Sequence, residues 1–154
     1  MLDTVKGAIE EVLNKISHAP FQCLQLSAFL YDRLKHKHGI DCSIVAGNLQ
    51  FRDTIIFKQD FSLSGFKNES LQDWAGHAWL ELNGYIIDLS LFRTLYHDAF
   101  TKPCKNEMIS IFGAGRGAII ASRQELQGNG LIYTPIETLT DKVAMGIISG
   151  YVNL

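Results

Sequence analysis

A thiol, an imidazole and a carboxylate in this chain have the types and spacing that nucleophilic acyl transfer needs. Cys23 falls at the predicted start of a helix, where the positive end of the helix dipole and unpaired backbone N–H groups favour a thiolate. His77 and Asp88 lie on opposite sides of Asn83-Gly84, a dipeptide typical of a tight hairpin turn. A histidine base oriented by a carboxylate can activate a cysteine, so the sequence predicts a Cys-His-Asp catalytic site.

The hairpin geometry places His77 and Asp88 on the same face. A two-residue turn pairs Leu80 with Ile87, and the alternation of side chains then makes His77 and Asp88 diagonal neighbours. Such neighbours have Cβ atoms roughly 7–8 Å apart, which allows an imidazole–carboxylate hydrogen bond. That bond would fix the imidazole tautomer and leave the second ring nitrogen free to act as a base. The opposite face is apolar and is predicted to meet the core.

Residues beside this predicted site are candidates for holding the substrate. The backbone N–H of Cys23 can donate to an oxyanion, and the side chain of Gln22 is a candidate second donor. Trp74 and Trp79 are candidate substrate contacts. Trp74 belongs to the long segment Gln59–Gly76, whose large apolar side chains favour a loop packed on the core over a lid or substrate rim.

Hydrophobic periodicity and turn signals predict the elements that must position the site. Two amphipathic helices come first, and the strands of a sheet follow them. The predicted spans are a helix that follows Asp3 or Thr4 and stops before Pro20, a helix from about Cys23 to His38, and strands at 41–47 and 54–57 ahead of the hairpin.

The rest of the chain carries weaker signals. Short strands are predicted at residues 108–112 and 131–133. Thr134-Pro135-Ile136-Glu137 has the pattern of a capping box, so it predicts the start of a closing helix. From Leu91 to Leu154 the sequence leaves open whether the chain builds a specificity element or only completes the core. The predicted buried stripe of the closing helix holds Ile136, Leu139, Val143, Ile147 and Tyr151.

Composition and charge exclude several classes of protein. The 154 residues include 14 Lys+Arg and 16 Asp+Glu, and the formal net charge of −2 argues against nucleic-acid or anionic-membrane partners. With 47% apolar residues the chain is typical of a globular protein, and its length favours one α+β domain over residues 1–154. No apolar run is long enough to span a bilayer and no signal-peptide pattern is present, which predicts a soluble protein in the cytoplasm. Three cysteines without a CxxC pair predict neither disulfides nor a zinc site, and no metal or cofactor is expected.

Other polar groups have simpler interpretations. Cys42 lies in an apolar strand and is predicted to be core, whereas Cys104 is flanked by lysines and is predicted to be an exposed, weaker rival nucleophile. His36 and His38 point apart on a helix, which argues against a metal site. His97-Asp98 is predicted to be solvated surface.

A glycine-rich segment, Gly113–Ala118, matches the dinucleotide fingerprint G-x-G-x-x-A but lacks the strand–helix–strand context that nucleotide binding requires. We predict a glycine-rich turn near the cleft instead. Arg116 within it is a candidate contact for a carboxylate-bearing substrate.

The segment from Phe21 to Ser90 resembles the transglutaminase-like superfamily, a circularly rearranged relative of papain-type folds. It is similar in particular to small bacterial members such as the leader peptidases of lasso-peptide maturation. The residues that carry the resemblance are the helix-opening Cys23, the strand ending Val45-Ala46-Gly47, and the His77-Ala78-Trp79 and Ile87-Asp88 runs. The interval from His77 to Asp88 is shorter than in large transglutaminases, as the tight turn demands.

The resemblance implies N-terminal helices packed on an antiparallel sheet, with the nucleophile at a helix N-terminus. It implies that Cys23 is the nucleophile, His77 the general base and acid, and Asp88 the orienting carboxylate. The expected activity is that of a cysteine peptidase or acyltransferase acting on a peptide or protein amide through a thioester acyl-enzyme, with hydrolysis favoured over transamidation. A non-catalytic peptide-binding module on the same fold, and a small-molecule N-acyltransferase, are the alternatives.

Overall fold

A six-stranded antiparallel sheet forms the centre of the structure, a computed structural model that describes residues 1–64, 73–113 and 117–152. The α+β class predicted from the sequence is confirmed. The elements are α1 (Leu2–Lys15), α2 (Cys23–Asp32), a π-helical turn (Arg33–Lys37), β1 (Ser43–Phe51), β2 (Thr54–Phe57), β3 (His77–Leu82), β4 (Tyr85–Asp88), α3 (Leu91–Leu95), α4 (Lys105–Phe112), β5 (Ile119–Ser122), α5 (Arg123–Gly128), β6 (Leu131–Thr138) and α6 (Asp141–Val152).

Strand β1 is paired along both of its edges. On one edge β6 pairs with residues 45–51, and on the other edge β3 pairs with residues 43–47 and β2 with residues 49–51. Strands β2 and β3 therefore lie end to end along β1. Because of this arrangement Phe57, the last residue of β2, lies beside His77, the first residue of β3, although residues 58–76 separate them in the chain.

Apolar residues cover both faces of the sheet. On one face, helices α1, α2 and α6 pack on residues such as Ile44, Ala78 and Leu80. On the other face, residues of α3, α4 and α5 form a second core with Val45 and Trp79. Since side chains alternate along a strand, the face of β3 that carries His77 and Trp79 meets this second core.

The β3–β4 hairpin has the register that the sequence predicts. Leu80 pairs with Ile87, and Leu82 pairs with Tyr85. Asn83 and Gly84 both have positive φ, 49° and 82°, as a two-residue type I′ turn requires. The first two predicted helices also lie where their periodicity places them, although the first begins at Leu2, ahead of the predicted cap at Asp3 or Thr4, and the last turn of the second is π-helical.

Two predictions for the second half of the chain are wrong. Residues 105–112 form helix α4, not a strand, and its Met108 is fully buried in the second core. Residues 134–137 belong to β6, not to a helix start, and Ile136 is exposed. Proline is tolerated in β6 because, among the described strands, β6 pairs only with β1.

The closing helix begins later than predicted, at Asp141. The Thr140 hydroxyl oxygen accepts a hydrogen bond from the Val143 N–H at 3.2 Å and so caps the helix. Leu139, Val143 and Ile147 are buried as predicted. Among the described residues, no helix is both long enough and apolar enough to cross a bilayer.

Candidate active site

Helix α3 holds the segment that leads into α2 and so fixes where Cys23 lies. The buried guanidinium of Arg93 donates to the carbonyl oxygens of Leu13 at 2.7 Å and Ile16 at 3.0 Å, at the end of α1. The neighbouring Thr94 Oγ1 accepts a hydrogen bond from the Phe21 N–H at 3.0 Å. Phe21 has a φ of 61°, an uncommon value for an aromatic residue, so the hydrogen bond stabilises a strained turn just before the helix.

Cys23 is the first residue of α2. Gln22 is the N-cap residue, but its side chain makes no capping hydrogen bond. The N–H groups of a helical first turn have no partner within the helix. Because no side-chain cap occupies them here, they can interact with a thiolate or a substrate oxygen. Cys23, Leu24 and Gln25 of this first turn all line one cavity. The thiol therefore lies at the positive end of a helix dipole and beside an open space.

His77 is buried, with 1% of its surface exposed, and its two ring nitrogens have different surroundings. Nε2 lies 2.6 Å from Asp88 Oδ2. Nδ1 is buried and makes no hydrogen bond with the described residues. The Phe57 ring stacks on the imidazole with 5.0 Å between ring centroids and 8° between planes. The imidazole is therefore held rigidly, with one nitrogen bonded to a carboxylate and the other available.

Burial and the interactions with Asp88 have opposite effects on the protonation of His77. Burial acts to lower the pKa of His77, but the negative charge of Asp88 and the hydrogen bond to it outweigh burial. Cys23 makes a smaller contribution in the same direction, and together these interactions raise the pKa of His77 above its ordinary value. The imidazolium is thus the favoured form in the folded protein at neutral pH.

Asp88 accepts hydrogen bonds at both carboxylate oxygens. Oδ1 accepts from the Ser90 N–H at 2.9 Å, the Leu91 N–H at 3.1 Å and the Ser90 hydroxyl at 3.3 Å. Oδ2 accepts from His77 and from the Tyr133 hydroxyl, the latter at 2.8 Å. Burial acts to raise the pKa of Asp88, but the charge of His77 and these hydrogen bonds lower it below its ordinary value. The carboxylate is therefore kept ionised although it is completely buried.

Tyr133 is the residue of the site that the sequence analysis missed. It lies on β6, and its ring packs against Trp79 with centroids 5.0 Å apart and against His77 with centroids 6.0 Å apart. Burial and the neighbouring Asp88 raise the pKa of Tyr133 well above its ordinary value. The phenol therefore stays neutral and donates a hydrogen bond to Asp88. No spacing rule links β6 to the hairpin. The one available signal is general: a buried carboxylate requires donors beyond a single histidine.

A cavity of about 490 Å³ opens beside Cys23 and His77. Its walls are mainly apolar, and polar side chains are interspersed. Trp74 lines this cavity and packs directly on Gly76, where a Cβ atom would overlap the indole ring. The other residues that line the cavity are Phe21, Leu24, Gln25, Ile56, Phe57, Asp73, Ala75, Ser90, Thr94, Ala99, Phe100, Thr101 and Lys102.

The structure places the other candidate substrate contacts differently. Trp79 is fully buried behind the His77 ring and donates from Nε1 to Glu81 at 3.2 Å, and it does not line the cavity. The Oε1 atom of Gln22 is buried without a hydrogen-bond partner among the described residues, and Gln22 does not line the cavity either. Residues 65–72 of the segment 59–76 lie outside the described residues; in its described part Leu63 and Trp74 are buried in the core as the favoured interpretation predicts, whereas Phe61 is exposed.

The rival groups lie away from this cavity. Cys104 is 7% exposed, which corrects the prediction of an exposed thiol: it packs in the second core at the start of α4, where burial raises its pKa. Cys42 is buried as predicted, and burial raises its pKa to about 11. His97 and Asp98 are exposed as predicted. No group of histidine, cysteine and carboxylate side chains in the described part of the chain has the arrangement of a metal site.

The glycine-rich segment follows helix α4, not a strand, so the context for dinucleotide binding is absent there. Its residues 114–116, including Arg116, lie outside the described residues. No known protein family, curated protein or solved structure matches the chain.

Proposed function

We propose that the protein is a cysteine peptidase of the transglutaminase-like superfamily, which cleaves an amide bond of a peptide or protein through a thioester acyl-enzyme. One observation carries the proposal: His77 and the helix-start Cys23 line the same cavity, and the buried His77 imidazole is bonded to Asp88 through Nε2 while its Nδ1 has no hydrogen-bond partner among the described residues. A buried, unpartnered imidazole nitrogen is costly unless a reacting group uses it. The fold class and the chain order of Cys23, His77 and Asp88 agree with the resemblance.

Acylation of the enzyme begins at the thiolate. Cys23 Sγ attacks the carbonyl carbon of the substrate, and the carbonyl oxygen becomes an oxyanion that the Cys23 N–H can stabilise. His77 then gives the Nδ1 proton to the departing amine nitrogen, and the carbon–nitrogen bond breaks to leave a thioester on Cys23. Asp88 stabilises the imidazolium until its Nδ1 proton is transferred to the amine.

Deacylation reverses the proton movement. His77 Nδ1 takes a proton from water, the hydroxide attacks the thioester carbonyl carbon, and the thiolate of Cys23 leaves. The products are a carboxylic acid and the starting thiolate–imidazolium pair. An amine in place of water would give transamidation by the same steps, and we favour water because it needs no second binding pocket.

Alkylation of the three cysteines tests this proposal within one molecule. We expect iodoacetamide at pH 6.5 to modify Cys23 at least tenfold faster than a model thiol, and we expect His77→Ala to abolish this advantage. Cys42 and Cys104 are internal controls, because both thiols are buried and have raised pKa values. Peptide mass spectrometry would follow each residue separately.

Slow alkylation of Cys23 that does not depend on His77 would contradict catalysis and favour the peptide-binding module. Fast alkylation would justify a second step, in which the protein is mixed with p-nitrophenyl acetate and the acetyl group is located by mass. An acetyl thioester on Cys23 that water removes supports a hydrolase, whereas acetylation by acyl-coenzyme A donors alone would favour the N-acyltransferase.

A further inference from the structure

We infer that Tyr133 is a positioning residue for the His77–Asp88 pair, because its hydroxyl shares Asp88 Oδ2 with the imidazole and limits how tightly the carboxylate holds the imidazolium. The catalytic part of this inference rests on the proposed function. Its structural part, the sharing of one oxygen by two donors, can be measured on the protein without any substrate.

The hydrogen bonds to the two carboxylate oxygens of Asp88 have different roles. Those at Oδ1 orient the carboxylate, and those at Oδ2 determine how strongly it binds the imidazolium. Oδ1 is held by two backbone N–H groups and one hydroxyl, all from Ser90 and Leu91. These three donors already fix the plane of the carboxylate. The bond from Tyr133 at 2.8 Å falls on Oδ2, the same oxygen that His77 Nε2 meets at 2.6 Å. Tyr133 therefore acts where the imidazolium is bound.

The position of the Tyr133 ring is fixed by its packing. Tyr133 is 2% exposed, its ring contacts Trp79 edge to face, and its backbone carbonyl accepts a hydrogen bond from Arg123. The hydroxyl is thus aimed at Asp88 by packing and not by the hydrogen bond alone. A phenylalanine at this position would retain the packing and remove the donor.

The proposed reaction needs an imidazolium that Asp88 stabilises but does not hold too strongly. His77 must be protonated when the thiolate attacks, but it must then release the Nδ1 proton to the departing amine. A buried carboxylate with its full charge on Oδ2 would hold the imidazolium too strongly for that release. A second donor on Oδ2 withdraws part of that charge. The hydroxyl of Tyr133 supplies this donor without bringing a competing positive charge.

A second Tyr-His-Asp cluster, in which Tyr31 is buried but His36 and Asp141 are exposed, offers a matched control. Asp141 Oδ1 accepts from the Tyr31 hydroxyl at 3.1 Å and lies 2.9 Å from His36 Nε2, so it repeats the same three residue types away from the cavity. Tyr31→Phe removes a tyrosine–aspartate hydrogen bond of the same kind. It is expected to leave His77 unchanged.

The test compares Tyr133→Phe with Tyr31→Phe by NMR of the His77 imidazole. The proton between Nε2 and Oδ2 is expected to resonate downfield, and in Tyr133→Phe it should move further downfield because His77 no longer shares the oxygen. An unchanged or upfield resonance in a folded Tyr133→Phe protein would overturn the inference. If that variant does not fold, 3-fluorotyrosine at position 133 is a stronger donor of nearly the same size, and it should move the resonance upfield; no movement would overturn the inference equally.

A leaving-group comparison tests the catalytic part. Tyr133→Phe should slow the acylation of Cys23 by an N-acyl p-nitroanilide roughly tenfold, because the amine needs the His77 proton to depart. Acylation by the matching p-nitrophenyl ester should be unchanged, since the nitrophenolate leaves without a proton. Equal effects on both substrates would overturn this part. A Cys23 that neither substrate acylates would refute the proposed function, while the NMR result would still decide whether Tyr133 shares Oδ2.

Discussion

At the scale of single residues, burial distinguishes the candidate site from a surface cluster of the same composition. The side chains of His77 and Asp88 are 1% and 0% exposed, whereas those of His36 and Asp141 are 42% and 53% exposed. Water screens the surface pair, so its hydrogen bond has little consequence for chemistry. The buried pair is unscreened, and its charges control protonation. Residue types alone therefore do not define the site.

Substituting Asp88 by Asn should reduce the alkylation rate of Cys23 at pH 6.5 by roughly 100-fold. The three donors at Oδ1 require an oxygen there, so the new NH₂ group would face His77 Nε2 and make that nitrogen an acceptor. The ring proton would then sit on Nδ1 of a neutral imidazole, which cannot act as a base or stabilise the thiolate. Asp141→Asn is the control and should alkylate at the normal rate. Similar rates in both variants would mean that Asp88 does not set the state of His77.

The sequence could predict the positions of Cys23, His77 and Asp88 in the fold because each position depends on local rules. Helix periodicity places Cys23 at a helix start, and the turn at Asn83-Gly84 sets the hairpin register. Tyr133 depends on the pairing of β6 with β1, which is a long-range contact that local patterns do not encode. Of the candidate substrate contacts, Trp74 lines the cavity as predicted, whereas Gln22 and Trp79 do not line it, because the position of the cavity depends on long-range packing.

At the scale of secondary structure, turn chemistry was more reliable than a capping pattern. A hairpin with a two-residue turn needs positive φ at both turn residues, and few dipeptides other than Asn-Gly provide this readily. The pattern Thr-Pro-x-Glu, by contrast, is compatible with an edge strand as well as with a helix start. Pairing with β1 continues through Thr138 and decides the outcome at residues 134–137. Tertiary contacts here override a local helix signal.

At Gly47 the backbones of β1 and β6 approach closely. A Cβ atom there would overlap the backbone carbonyl oxygen of Thr134, next to the irregularity between Ala46 and Gly47. Gly47→Ala should lower the free energy of unfolding by about 2 kcal/mol, because backbone cannot move aside as a flexible side chain can. It should also slow the alkylation of Cys23, since Gly47 pairs with His77 on the neighbouring strand β3. Urea unfolding and the alkylation assay would measure the two effects.

Gly7→Ala is the matched control for this substitution. Gly7 is exposed in the middle of α1, and a Cβ atom there would meet nothing within 4 Å. Alanine should therefore raise the free energy of unfolding by about 0.5–1 kcal/mol. If Gly47→Ala were as well tolerated as Gly7→Ala, the β1–β6 contact would not be the constraint that the structure indicates.

At the scale of the whole molecule, the two cores explain why the site is buried on a sheet face. Helices α1, α2 and α6 cover one face, and helices α3, α4 and α5 cover the other. The chain from Leu91 onward thus contributes to both cores and, through Tyr133, to the candidate site. The sequence left these roles open, because the weakly periodic segments 105–112 and 119–122 gain their structure from packing on the sheet.

The dependence of global stability on pH should report the protonation of His77. In a Cys23→Ser protein, the free energy of unfolding should fall by about 1.4 kcal/mol per pH unit between about pH 7.5 and 8.5. The reason is that the pKa of His77 is raised in the folded protein. Above its ordinary pKa of about 6.5 the unfolded chain releases the proton, whereas the folded protein retains it, so this stabilisation is lost as pH rises. Higher pH is avoided because the buried thiols of Cys42 and Cys104 have raised pKa values and would add a slope of the same sign.

Two comparisons make this measurement specific. His77→Gln in the Cys23→Ser protein should remove most of the slope, and His36→Gln should remove only a small part, because His36 also has a raised pKa but lies at the surface. In the wild-type protein the slope should be flatter than in Cys23→Ser. The thiolate–imidazolium pair of the proposed mechanism would hold one proton, which is the number that the thiol and neutral imidazole of the unfolded chain hold together. Equal slopes with and without the Cys23 thiol would show that the thiol keeps its proton in the folded protein, and the proposed catalytic pair would then have no thiolate.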